Sequence, residues 1–365
     1  MSFWAVVAIL FLGACGSGPA PTAPRVDSPI LQVVAESNGM IWNAVAVDGE
    51  RTFVSGPRWT GSKGPALAEL DSSEQPRPYP DAAWNSWHPG VDPAHSFVNV
   101  NAIRMGGPGE LWVVDSGSPD FGANPLPGGT KLVRINLSTN QPSRVYLFPS
   151  NAIRAGSYVD DVRFNGDFAY ATDAGSPGLI VIDFRTGVAR RVLENHASTT
   201  APTNRSIVLE GKTVMAPDGT PLKVNADPLE LSPDGQWLYY GPLAGPWSMI
   251  STKTLNDPAL PATALAAQVR PWADLPPTGG TVMDHNGDLY FSDLANNSLK
   301  RRTADGQITT IVQDPRLLWV DAPTIDATHT IWLPAAQVHR VALFQHGEPK
   351  TAWPVQLFRY QLGSR

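Results

Sequence analysis

The order of apolar and polar residues repeats along this chain: an apolar run is followed by a turn built on glycine and by a second apolar run that contains an aromatic residue. Because a fixed distance from run to turn sets strand length and register together, each copy predicts a β-hairpin. The offset from opening residue to turn glycine is eight residues in the copies that open at Asn101 and Asp227. The clearest copies open at Asn101, Asp160, Asp227 and Gly280.

Two weaker copies open at Trp42 and Asp321, which brings the total to six. Hairpins that recur every 40–60 residues or so are typical of propeller blades. The pattern therefore predicts an all-β fold, a six-bladed β-propeller over residues 29–365. We expect the stretch from Ile30 to Glu36 to pair with the last blade, because closing the ring removes exposed sheet edges.

Three segments interrupt the hairpin pattern. The alanine-rich segment from Ala259 to Leu275 is a helix candidate that contains two prolines. The insertions Ser72–Ser96 and Ser116–Thr130 are rich in Pro, Gly, Asp and Trp. Loops of this length often cover functional sites, although surface flaps without a role are the alternative.

The first 28 residues do not share the hairpin pattern. An apolar run of ten residues from Phe3 to Leu12 is too short to span a membrane and suits a signal peptide. Leu12-Gly-Ala-Cys15 resembles a bacterial lipoprotein signal, which implies a signal peptide over residues 1–15 and a lipid on Cys15. Residues 16–28 then form a flexible tether. The alternative is an ordinary secretory leader with an incidental cysteine.

Both leader hypotheses place the protein outside the cytoplasm, as a periplasmic or outer-membrane lipoprotein or otherwise as a secreted protein. The chain has a net charge of −6, only 16% charged residues and no basic run. These values argue against nucleic acid as a partner, and against membrane contact other than through the anchor. A single cysteine allows no disulfide within the chain. We expect a monomer.

The opening residues of the six copies are candidates for function, because a propeller gathers the first strand of every blade around a central channel. Carboxylate and amide oxygens suit Ca²⁺ or another divalent cation, and like charges in a channel repel unless a cation or proton intervenes. The alternative is a wet channel in which these side chains cap backbone groups and hold water. The candidate channel residues are Asn43, Asn101, Asp160, Asp161, Asp227 and Asp321, of which Asn101, Asp161 and Asp227 are the candidate metal ligands.

Several motifs around these positions occur together in one known family. The segments concerned are Glu110-Leu-Trp-Val-Val-Asp-Ser-Gly, Tyr158-Val-Asp-Asp-Val-Arg, Leu229-Glu-Leu-Ser-Pro-Asp-Gly and Ile331-Trp-Leu-Pro-Ala-Ala-Gln. The chain resembles the major royal jelly and yellow proteins over nearly its whole length after the leader. That resemblance implies a propeller that binds a small molecule, an aromatic amine among the candidates, at the central channel.

A more distant resemblance is to the gluconolactonase and senescence-marker group, six-bladed lactone hydrolases with one divalent cation in the channel. Asn101 and Asp227 correspond to two of that group's metal ligands by their distances to the following turn. Asn43 stands in place of the group's glutamate, and Asp160 or Asp161 in place of an asparagine. This resemblance implies the alternative function, a divalent-metal-dependent lactone hydrolase or isomerase, with Asp227 as the candidate catalytic base.

Overall fold

The computed structural model describes Met1 and residues 30–363, and within them it forms six antiparallel four-stranded sheets. The first strand of each blade contacts the first strands of both neighbouring blades, so the sheets close into a ring around a central axis. The six-bladed β-propeller predicted from the hairpin repeat is confirmed. Apart from Met1, the predicted signal peptide (1–15), with Cys15, and the tether (16–28) lie outside the described residues.

Strand β1 (Gln32–Ser37) belongs to the last blade, and the next three blades follow in chain order from the innermost strand outward. Blade 1 comprises β2 (Ala44–Asp48), β3 (Arg51–Ser55), β4 (Leu67–Leu70) and β5 (Pro76–Pro78). Blade 2 comprises β6 (Val100–Gly107), β7 (Glu110–Asp115), β8 (Lys131–Asn136) and β9 (Gln141–Leu147). Blade 3 comprises β10 (Val159–Asn165), β11 (Phe168–Asp173), β12 (Gly178–Asp183) and β13 (Val188–Val192).

A small hairpin, β14 (Val208–Leu209) and β15 (Lys212–Thr213), precedes the remaining blades. Blade 4 comprises β16 (Ala226–Leu231), β17 (Trp237–Pro242), β18 (Trp247–Ser251) and β19 (Arg270–Ala273). Blade 5 comprises β20 (Thr278–Met283), β21 (Leu289–Asp293), β22 (Ser298–Arg302) and β23 (Ile308–Gln313). Blade 6 comprises β24 (Thr324–Ile325), β25 (Thr330–Pro334), β26 (Val355–Gln361) and β1.

The prediction of a single helix from Ala259 to Leu275 is wrong. Two short helices, α1 (Thr252–Asn256) and α2 (Ala262–Ala266), lie between the third and fourth strands of blade 4. The end of the predicted helix is instead strand β19, which contains Pro271. A proline in the interior of a helix removes a hydrogen bond and clashes with the preceding turn, whereas an outermost strand tolerates it.

The ring is closed by the N-terminal strand. β1 pairs antiparallel with β26, from Gln32 opposite Arg359 to Ser37 opposite Val355. The pairing predicted for residues 30–36 is therefore present. The apolar core lies between adjacent blades, since single clusters of buried side chains combine residues from blades 1 and 2 or from blades 2 and 3. Within the described residues, no helix is both long and apolar enough to span a bilayer.

In blades 2 and 3, a buried aspartate forms hydrogen bonds with the backbone that precedes the inner strand. Asp115, the last residue of β7, accepts backbone hydrogen bonds from Val98 at 2.8 Å and Asn99 at 2.9 Å, and it pairs with Lys131 at 2.6 Å. Asp173, the last residue of β11, likewise accepts from the backbone of Tyr158 at 2.8 Å. These contacts fix the chain just before the residues that reach the channel.

Candidate functional site

Four inner strands begin with an irregularity in register. The shifts lie between Val100 and Ala102, Val159 and Val162, Ala226 and Leu229, and Thr278 and Thr281. A β-bulge leaves its extra residue out of the ladder and redirects that side chain. The residues inside the bulges of blades 2 to 4 include Asn101, Asp160, Asp161 and Asp227, so the bulges determine where the candidate side chains lie.

A cavity of about 40 Å³ lies at the mouth of the channel, on the face that carries the loops between second and third strands. It has room for ordered water but not for an organic ligand unless its wall moves. Five of the six predicted channel residues line it, namely Asn43, Asn101, Asp160, Asp227 and Asp321. The sequence did not single out the apolar part of the wall, which includes Trp59, Phe121, Tyr158, Leu222, Val224, Trp319 and Phe344.

Three aromatic side chains from three blades pack together over the cavity. Trp59 lies 5.0 Å from Phe121 and 6.0 Å from Phe344 between ring centroids, and the two phenylalanines are 5.7 Å apart. We call these three residues the aromatic cover. Phe121 belongs to the insertion 116–130, for which a covering role was expected, whereas no residue of the insertion 72–96 lines the cavity.

A chain of hydrogen bonds runs from the aromatic cover to the acidic floor of the cavity. Trp59 Nε1 donates to the Tyr158 hydroxyl at 2.8 Å, and that hydroxyl donates to Asn101 Oδ1 at 2.9 Å. Asn101 Nδ2 then donates to Asp160 Oδ1 at 2.7 Å. Asn43 Nδ2 supports the same asparagine by donating to its backbone carbonyl at 3.1 Å. In this series of hydrogen bonds, every donor lies on the side of the aromatic cover and every acceptor on the side of the Asp160 carboxylate.

The three cavity carboxyl groups carry raised pKa values. Burial is the main cause for Asp160 and Asp227, and the neighbouring carboxylates, Asp321 among them, raise both pKa values further. Burial raises the pKa of Asp321 to about 7, although the backbone of Ala322 and the Trp319 indole donate hydrogen bonds to it. Within residues 30–363, none of the three forms an ion pair, and no hydrogen-bond donor reaches the Asp227 carboxylate.

Asp161 is not part of the cavity. Its oxygens accept hydrogen bonds from Arg104 at 3.0 and 2.5 Å and from Arg163 at 2.8 Å. Burial alone would raise the pKa of Asp161, but the two guanidinium groups outweigh burial and hold that pKa below its usual range. The expectation that Asp161 faces the same site as Asp160 is therefore wrong, because consecutive residues in the bulge point in different directions.

The contacts of Asp161 extend into a belt of buried charge deeper in the channel. Arg163 also binds Glu230 at 2.6 and 3.0 Å, and Glu230 accepts a hydrogen bond from Thr281 at 2.7 Å. Arg104 donates to the Pro323 carbonyl at 2.6 Å. The charged belt thus joins blades 2 to 5 to the entry into blade 6. Charged residues inside otherwise apolar inner strands were the sequence signal for it.

Comparison with known proteins places the chain in a family. A profile described as major royal jelly protein matches residues 98–352. The chain belongs to the major royal jelly protein family. Among curated relatives, it is 29% identical to Protein yellow of Drosophila erecta and of Drosophila melanogaster over 170 residues, 42% of this chain. The matched region spans only about 30% of the length of those relatives.

Two solved structures align with most of this major royal jelly protein family member. A luciferin-regenerating enzyme aligns over 92% of this chain and 95% of its own, with a TM-score of 0.54 and 10% identity. A virginiamycin B lyase from Staphylococcus aureus aligns over 84% of this chain and 81% of its own, with a TM-score of 0.47 and 14% identity. At such identities the likeness concerns the fold alone.

The cavity of this family member is a poor match to a metal site. In the described part of the chain, no group of three or more His, Cys, Asp or Glu side chains is placed to hold a metal ion. Among the candidate ligands, Asp161 is bound by two arginines, and Asn101 Oδ1 already accepts from Tyr158. Calcium, and with it the metal-dependent hydrolase, stays a prediction from sequence that the donor geometry does not favour.

Proposed function

We propose that this member of the major royal jelly protein family binds a small organic cation, an aromatic amine, in the cavity at the mouth of its central channel. One observation carries the proposal: the buried Asp227 and the half-buried Asp160 and Asp321 share the cavity, and none of these three carboxyl groups forms an ion pair within residues 30–363. Groups in such a position remain protonated or acquire a cation from outside the chain.

An ammonium group supplies the charge that the cavity lacks. Since no donor among the described residues reaches the Asp227 carboxylate, an incoming ammonium group gives it both a neighbouring positive charge and a hydrogen bond. Ionic hydrogen bonds of this kind are about twice as strong as neutral ones. The bound cation therefore favours the ionised form of Asp227 and lowers the pKa of this carboxyl group relative to the free protein.

The wall of the cavity suits the remainder of an aromatic amine. Trp59, Phe121 and Phe344 offer ring faces and edges on the side away from the carboxyl groups. Tryptophan faces also attract cations, an effect worth about 2 kcal/mol where water is excluded. Since the cavity measures only about 40 Å³, the aromatic cover has to open when the ligand enters.

Titration with tyramine by isothermal calorimetry tests the proposal, with 3-(4-hydroxyphenyl)propionate as an anionic compound of similar size. We expect tyramine alone to bind, and Asp227→Asn to weaken binding about tenfold or more, because a hydrogen bond to a charged group is worth about 1.5–3 kcal/mol. Asp167→Asn is the matched control, since Asp167 lies in the exposed turn between β10 and β11. Equal binding of both compounds, or equal effects of the two substitutions, contradicts the proposal.

We also propose that the protein is exported and anchored through a lipid on Cys15. The proposal rests on the apolar run from Phe3 to Leu12 and on the Leu12-Gly-Ala-Cys15 sequence, both outside the described residues. In that position the tether would present the propeller at a membrane surface, where its ligand is a molecule of the surrounding medium.

A further inference from the structure

A second and larger pocket lies beside the cavity, between the small hairpin β14–β15 and the long loop that joins β25 to β26. Its volume is about 420 Å³. Phe344 of the aromatic cover forms part of both walls, and the consecutive residues Val338 and His339 face the cavity and the second pocket respectively. We call it the basic pocket because of the side chains that line it, which include Lys212, His339, Arg340, His346 and Lys350.

The basic pocket carries a surplus of positive charge in an acidic protein. Two lysines and one arginine line it, against the single carboxylate of Glu210, while the whole chain has a net charge of −6. Lys212 and Lys350 are exposed, and neither forms an ion pair with any residue between 30 and 363. Two cations therefore face the same concave surface without a protein partner.

The one carboxylate of the basic pocket is already engaged. Glu210 accepts from Arg340 Nε at 3.2 Å and contacts Arg340 Nη2 through its other oxygen, and His339 Nε2 lies 3.2 Å from Glu210 Oε2. Glu210 thus fixes the arginine and the histidine in place and has little capacity left for the lysines. A positively charged site that is held rigid loses little freedom when an anion arrives.

The imidazole of His339 forms a buried part of the wall of the basic pocket. It lines the basic pocket, is only 5% exposed, and stacks on Trp319 with 6.0 Å between ring centroids. Its Nδ1 is buried without a hydrogen-bond partner in the described residues. Because Nε2 is the ring nitrogen that faces Glu210 and burial lowers the pKa of His339, Nδ1 is the proton-free acceptor of a neutral imidazole, and the donors for an anion are those of Lys212, Lys350 and Arg340.

We propose that the basic pocket is an anion-binding site that takes the phosphate or carboxylate group of a small molecule. Its concave shape and its volume suit a small ligand rather than a flat macromolecular surface. Lysines act as point charges towards oxyanions, and Arg340 provides N–H donors in a fixed plane. The inference does not rest on amine binding, because it uses a different pocket and the opposite charge.

Titration with inorganic phosphate and with acetate, each at constant ionic strength against chloride, tests the proposal and separates the two anion classes. Binding is followed by calorimetry and by NMR of the lysine side chains. We expect saturable binding of at least one of the two anions. Lys212→Met and Lys350→Met together should weaken it about tenfold, and either alone about threefold, as for exposed ionic contacts. Lys253→Met, on an exposed position of helix α1, should have no effect.

A variant that should bind the anion more tightly is a useful control, because misfolding would weaken anion binding and not strengthen it. Glu210→Gln removes the acid of the pocket and should tighten anion binding several-fold, whereas Asp167→Asn makes the same charge change elsewhere and should not. Thermal unfolding confirms that each variant is folded. The proposal is overturned if neither anion binds saturably, if Lys253→Met weakens binding as much as the pocket variants, or if Glu210→Gln and Asp167→Asn act alike.

Discussion

At the scale of single residues, the cavity carboxyl groups differ in the donors that reach them. Asp160 receives the Asn101 amide, Asp321 receives a backbone N–H group and an indole, and Asp227 receives no protein donor in residues 30–363. Donors stabilise the ionised form and burial opposes it. With a pKa of about 7, Asp321 changes charge within the physiological range.

Tyramine affinity should therefore depend on pH through Asp321. As the pH falls below about 7, this carboxylate takes up a proton and loses its attraction for the ammonium group. Affinity should fall by up to about tenfold per pH unit, and Asp321→Asn should weaken this dependence, to which Asp160 and Asp227 also contribute through their raised pKa values. Calorimetry at several pH values measures both proteins, and an unchanged profile in the variant would rule out Asp321 as the titrating group.

Protonation of Asp321 also makes the stability of the folded protein depend on pH. The folded protein holds the Asp321 proton more tightly than an unfolded chain, in which an aspartate has a pKa of about 3.9. The stability that this group contributes is present below pH 4 or so and is lost as the pH rises to about 7. A ligand that brings a cation offsets this loss, so binding should stabilise the protein most at neutral pH and above.

At the scale of elements, the inner strands of blades 2 and 3 depend on the strand beside them. Asp115 ends β7, holds the backbone before β6, and pairs with Lys131 where both side chains are fully buried. The corresponding aspartate of blade 3, Asp173, holds Tyr158 and pairs with Arg191 at 2.9 Å. These aspartates align the start of the inner strand, and hence the cavity residues that follow it.

Asp115→Asn should lower the free energy of unfolding by about 3–5 kcal/mol, because it leaves the buried Lys131 ammonium without a counter-charge. Arg77→Met, which breaks the exposed pair with Asp71, should cost less than about 1 kcal/mol. Urea denaturation of the two variants and the wild type gives both values. Similar losses would mean that the buried pair adds little to the stability of blade 2.

The predicted and the observed elements, taken together, show which parts of the molecule can be predicted from sequence. Strands and turns follow from local spacing, which is why six hairpins and the closing strand were predictable. Five of six channel residues followed from the repeat, because equivalent positions in each blade share one place around the axis. The direction of the Asp161 side chain could not be predicted, because the repeat did not show which of two consecutive aspartates faces the cavity. The aromatic cover also could not be predicted, because Trp59, Phe121 and Phe344 meet only through the folding of three separate loops.

At the scale of the whole molecule, the propeller has two different faces along its axis. The cavity, the aromatic cover and the basic pocket all lie on the face with the long loops. The charged belt from Arg104 to Glu230 occupies the channel further along the inner strands, where these side chains are buried. Both proposed ligand sites therefore lie on one face.

Fractionation of the whole protein tests the proposed anchor. Wild-type protein expressed in a bacterium should sediment with membranes, and Cys15→Ser should release it as soluble protein, because a lipid on that residue is the attachment. Substitution of Ser17, two residues along the tether, is the matched control and should leave the protein with membranes. Soluble wild-type protein would show that the Leu12-Gly-Ala-Cys15 sequence does not direct lipidation.

The charged belt has a kinetic consequence. Because paired charged side chains occupy the inner strands beyond the cavity, we expect a bound molecule to leave on the side of the aromatic cover, by which it arrived. Trp59, Phe121 and Phe344 then set the rates of arrival and departure together. Looser packing among these three side chains should therefore speed both arrival and departure. How long the site stays occupied thus depends in part on ring contacts that lie outside its acidic floor.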